Sequence, residues 1–121
     1  MQHTTAKPVV VSGWKARTYV QNGINFKNHN GQLYGRWETP DLYVVYSYGA
    51  HWPLYAYDTT LSVWYENEDR ASRTTSKHRS QTCPLVNTET RSCGWLRGFI
   101  ASRYGEHHQM ERFQSDMGLA A

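Results

Sequence analysis

Residues 42–48 read LYVVYSY, a continuous run of β-branched and aromatic side chains bounded by Asp41 and Gly49. Such a run predicts a strand, and it is the clearest in the chain. PLYAYD (53–58) and SVWYE (62–66) repeat the composition around the polar turn Asp58-Thr59-Thr60. The three segments therefore read as an antiparallel meander, and Pro53 suits the first position of its strand, where no ladder donor is needed.

Outward from this meander the signals weaken. Residues 1–41 read as irregular, with short strands at 8–12 and 32–38 and a hairpin around Asn30-Gly31, a pair that tolerates the positive φ of tight turns. Residues 67–88 show no apolar periodicity, many hydroxyl residues and four basic ones. They read as a long loop centred on TTSKHRSQ (74–81), and a loop of that length inside a compact domain is usually functional or disordered. Farther on, Trp95, Leu96, Phe99, Ile100 and Arg103 share one helical face, with Thr88 or Thr90 as the N-cap. Gly94 and Gly98 each weaken that helix by about 1 kcal/mol relative to Ala. Gly105 is the expected stop, followed by a second helix over 106–117 with Met110, Phe113 and Met117 on one side. The expectation is a single α+β domain over 1–121: an antiparallel sheet of three to five strands (42–66 its centre), a basic loop (67–88) and two C-terminal helices (89–117).

Composition narrows the function. The 39% apolar content of this 121-residue chain is carried by five Trp and nine Tyr, which suit half-buried sheets and contact surfaces. The N-terminus offers only three consecutive Val, too short for a signal or membrane segment, so a soluble intracellular protein is expected. Cys83 and Cys93 are read as free thiols. Charge is uneven: residues 1–69 carry a net −1, 70–103 a net +6 and 104–121 a net −2. One third of the chain thus favours an anionic partner.

Three chemistries compete. Arg70, Arg73, Lys77, His78 and Arg79 from the loop, joined by Arg97 and Arg103 from the helix, would form a basic surface, with nearby hydroxyls as phosphate donors and Trp52 for stacking. Against this stands an ordinary solvated surface, although Glu89 is the single acid within 70–103. Alternatively His51, Lys77 and His78 supply the base, acid and cation of a metal-independent phosphodiesterase or nuclease; the bland counterpart is a turn histidine and a solvated one. His107 and Glu111 stand at i, i+4, but two ligands without an H-E-x-x-H arrangement do not close a metal site. No cofactor is expected.

Residues 42–84 resemble a group of small bacteriophage proteins of unassigned function. The shared pattern is V-Y-S-Y-G-x-H-x-P, W-x-x-N-x-D and T-T-S-K-H-x-S-Q, here Val45–Gly49 with His51 and Pro53, then Trp64, Asn67 and Asp69, then Thr74–His78 with Ser80 and Gln81. The resemblance implies a phage-encoded protein acting in the bacterial host's cytoplasm; a monomer or homodimer, with no membrane partner, is expected. Proteins of this kind resemble inhibitors of host defences, including anti-CRISPR proteins, whose partner is a host protein, a ribonucleoprotein complex or nucleic acid. The resemblance also raises the prospect that His51, Asn67, Asp69, Lys77 and His78 converge, against a structural role in which Asn67 and Asp69 tie down backbone.

Overall fold

The computed structural model describes residues 7–116. In chain order the elements are β1 (Val9–Val10), a 3-10 turn (Gly13–Lys15), α1 (Ala16–Gln21), β2 (Phe26–Lys27), β3 (Leu33–Thr39), β4 (Leu42–Ser47), β5 (Pro53–Asp58), β6 (Val63–Asn67), α2 (Arg73–Thr82), β7 (Glu89–Arg91) and α3 (Cys93–Asp116). All seven strands join one sheet in sequence order. β2 to β6 form an antiparallel meander, and each edge is closed by a parallel strand, β1 on β2 and β7 on β6.

The two parallel edges decide how the layers form. Each parallel pair needs a crossover, and α1 and α2 supply them. β1, β2, β6 and β7 all run the same way, and both crossovers step in the same lateral direction. The right-handed rule then puts both helices on one face. They do meet there: Arg17 of α1 donates to the backbone carbonyls of Cys83 (2.7 Å) and Ser80 (2.8 Å), and Gln21 to that of Pro84 (3.0 Å). α3 takes the other face. Two separate cores result, one around Val20, Phe26, Tyr43, Val45 and Tyr55, the other around Leu42, Val44, Tyr46, Leu96 and Ile100. β4 lies between them and is buried along its whole length, which is why its sequence is a continuous apolar run rather than an alternating one.

Local chemistry explains most boundaries. The expected hairpin forms between β2 and β3, with Gly31 at φ 74° and the backbone of Asn28 donating to Leu33 at 2.8 Å. Gly35 makes room for the side chains lying over it, since a Cβ there would meet the Tyr43 hydroxyl at 2.5 Å and the Phe26 ring at 2.6 Å. Ser92 caps α3, accepting from the Trp95 amide at 3.1 Å.

Several expectations are corrected. Among the described residues the sheet has seven strands of mixed parallel and antiparallel orientation, not three to five antiparallel ones, and the helices number three. Residues 67–88 are not a loop: α2 occupies 73–82 and β7 begins at Glu89. The two C-terminal helices are one, because Gly105 keeps helical geometry and α3 runs through it. Its cap is Ser92, since Thr90 belongs to β7. No helix among the described residues is long and apolar enough to cross a membrane.

Candidate functional site

Two of the three patterned segments, the end of β4 and α2, meet under a buried polar bracket. Ser47 Oγ lies 2.8 Å from His78 Nδ1 and 3.3 Å from Thr75 Oγ1, and Thr75 in turn reaches Ser72 Oγ at 3.2 Å. Ser72 caps α2 by accepting from the Thr75 amide. Ser47 is 0% and His78 3% exposed, so this Ser–His pair is closed to substrate. Tyr48, at φ 64°, turns the chain out of β4 and lays its ring 5.7 Å from that of His78. Burial, reinforced by neighbouring Lys77, pushes the His78 pKa down, so the imidazole is neutral near pH 7.

Other patterned residues also serve the fold. Asn67 donates to the Pro53 carbonyl at 2.7 Å and accepts from the Asp69 amide. Asp69 then accepts from the Cys93 amide at 3.0 Å, fixing the start of α3. Arg79 pairs with Glu66 at 3.1 Å and donates to the carbonyls of Asn67 and Asp69. Arg103 is similarly held, reaching Asp58 at 2.8 Å and Asp41 at 2.9 Å; the Asp58 hydrogen bond raises its pKa. Burial would raise the Asp41 carboxyl, but the Thr39 hydroxyl and Arg103 hold it below the usual carboxylate range.

The basic surface expected from sequence is therefore divided. Arg79 and Arg103 are engaged internally, while Arg70, Arg73 and Lys77 are exposed on or beside α2. Trp52 packs against the core of the α1–α2 face. Arg97 is exposed on α3, on the opposite face, where it joins His51 in lining a groove. His51 and His78 are thus brought to opposite faces, and the trio His51, Lys77 and His78 does not share a site. Both thiols are free, with burial pushing that of Cys93 up. Among the described residues no three His, Cys, Asp or Glu side chains gather as a metal site.

The groove has a simple origin. α3 crosses this face, approaching β3 as well as β5 and β6, and an opening remains between its small residues and β3. Register puts Tyr34 and Arg36 on that side, because Tyr34 pairs with Tyr46 and Arg36 with Val44, both in the α3-side core, and Glu38, at the bulge that follows, also lines the opening. The opening measures about 810 Å³, within the range of ligand-binding clefts. Arg36 and Glu38 form one wall, Gly94, Gly98 and Ala101 the helical wall, with Arg97 and Tyr104 on the same helix and His51 at the start of α3. The Cys93 thiol donates to the His51 carbonyl at 3.5 Å and fixes that end. The Arg36 guanidinium lies over the rings of Tyr34 and Tyr46, 5.4 Å from each, and pairs with Glu38. A Cβ added to Gly94 or Gly98 would meet nothing within 4 Å, so these glycines widen the groove rather than tighten packing.

Sequence reasoning missed Arg36, Glu38 and Tyr104. The alternation Tyr34-x-Arg36-x-Glu38 within a strand, three polar-tipped residues on one side, was the available signal. Comparison with protein-family models, curated proteins and solved structures returned no match to this chain.

Proposed function

We propose that the chain is a small binding protein that holds an anionic partner in the groove between α3 and β3. The observation that carries this reading is the charge lining of the opening: Arg36 and Arg97, with the His51 ring beside them, against Glu38, the single acid among its described lining residues. Arg36 and Arg97 are both exposed, and guanidinium groups recognise phosphate and carboxylate through paired hydrogen bonds. Binding is favoured over phosphodiester cleavage because the base, acid and cation that cleavage needs are divided between two faces. In the setting implied by the phage resemblance, the partner is a component of a host defence or nucleic-acid-handling complex, and occupying it inhibits that complex.

A pull-down from bacterial lysate tests this, with and without nuclease and at two salt concentrations. Reversing Arg36 and Arg97 to Glu should abolish capture, and reversing Arg70, Arg73 and Lys77 on the other side should not. Capture lost only with the α2-side reversals would sink the groove reading. Survival of nuclease treatment marks a protein partner, and steep loss with salt marks nucleic acid.

A further inference from the structure

We infer that the groove accommodates a nucleotide unit, either free or at an accessible position of a single strand, with its phosphate near Arg97 and its base at the Arg36–Glu38 end. This rests on the groove being the binding site proposed above. The distribution of chemistry along α3 supports it. Gly94 to Tyr104 covers about 15 Å of helix at 1.5 Å per residue. One end of that length is cationic and open, with His51, Gly94 and Arg97; the other carries planar groups and a carboxylate.

The second end distinguishes a nucleotide from other anions. Arg36 lies against two tyrosine rings on its inner side, while its side chain keeps 49% exposure. A guanidinium plane backed by aromatic rings is a stacking surface for a base. Tyr104 is 46% exposed, and its ring lies 4.4 Å from that of His108 on the next turn, giving a second aromatic edge on the opposite wall. Glu38 then supplies what a purely anionic ligand would not tolerate, an acceptor facing the cleft. Its carboxylate already meets Arg36 and the Tyr46 hydroxyl, yet with about four lone-pair sites it retains acceptor capacity, and it matches the exocyclic amino group of cytosine or adenine. An acidic peptide would gain from Arg36 and Arg97 but meet Glu38 with like charge.

Calorimetric titration of the full chain with cytidine and uridine monophosphates, inorganic phosphate, a short oligocytidylate and an oligoglutamate separates the possibilities. The inference expects the nucleotides to bind at least about tenfold tighter than phosphate alone, the value of one charged hydrogen bond. Arg97→Glu should weaken both nucleotides by about tenfold or more, and Glu38→Gln should reduce the cytidine-over-uridine preference. Tighter binding of the oligomer than of the monophosphate identifies a strand as the source, and equal binding a free nucleotide. Nucleotides binding no better than phosphate, or oligoglutamate binding alone, would overturn the inference and keep the anionic groove. If no anion binds and groove reversals leave the pull-down intact, both readings fall. Arg73→Glu, on the other side of the sheet, is the folded control.

Discussion

The helices α2 and α3 dock on opposite faces of this sheet by different means. On one, α1 and α2 cover the strands, and α2 docks through Thr75, His78, Gln81 and Thr82, all buried. On the other, α3 docks through Leu96 and Ile100 and leaves an opening between its small residues and β3. The polar contact is closed and exacting, whereas the apolar one leaves a groove beside it. Hydrogen bonds are directional and costly to leave unmade, so a polar interface must be completed. Apolar packing carries no such demand at its margin.

That contrast can be broken most sharply at Arg103, where the α3 face has its one deeply held ion pair. Asp58 is 0% exposed, so Arg103→Ala leaves a buried carboxylate without its cation and should cost about 3 kcal/mol, read by urea denaturation. Changing Asp58 to Asn together with Arg103→Ala should recover part of that loss.

A smaller effect should appear on the α2 face as a pH dependence. His78 has its pKa lowered by burial and then by Lys77, so the unfolded chain binds this proton at higher pH than the folded one does. The stability tied to the neutral ring is complete above the unfolded value of about 6.5. It declines as pH falls from there toward the depressed folded value. Thermal melts from about pH 7.5 to about pH 5, a range around the ordinary histidine value of about 6.5, should show this decline in the native chain and a flatter profile in His78→Gln. An unchanged profile would mean that His78 is not tied to the Ser47–Thr75 bracket as described.

The smallest effect concerns the groove alone. Gly98→Ala meets no neighbour within 4 Å and should stabilise α3 by about 0.5–1 kcal/mol. It should also weaken binding in the groove that Gly98 lines. Raised stability with unchanged binding would place the ligand elsewhere.

The sequence made the apolar half of this architecture legible and concealed the polar half. Continuous runs at 42–48 and 53–58 announced β4 and β5, and the Trp95, Leu96, Phe99, Ile100 spacing announced α3. α2 escaped because its inward positions, 75, 78, 81 and 82, are Thr, His, Gln and Thr, so a hydrophobic period cannot report it. Ser72 was its only local signal, as an N-cap. β1, β2 and β7 are two or three residues long, below the length at which alternation has meaning. For the proposed groove, Arg97 and His51 were singled out in the sequence but grouped with residues that the fold places on the α2 side of the sheet. Burial, not composition, separates the bound arginines 79 and 103 from the free ones. The patterned residues Ser47, Asn67, Asp69, Thr75 and His78 have their partners inside the fold, so in this chain they account for shape more directly than for recognition.

The short parallel strands at the two margins carry a colloidal consequence. A sheet ending in a long antiparallel strand offers neighbouring molecules a row of unpaired amides and carbonyls. Here the described margins are Val9–Val10 and Glu89–Arg91, the latter bearing a Glu–Arg pair. Edges so brief and, on one side, so charged give another chain little to template upon. Crowded expression should therefore favour dispersed molecules over fibrils, even with nine tyrosines and five tryptophans in the chain.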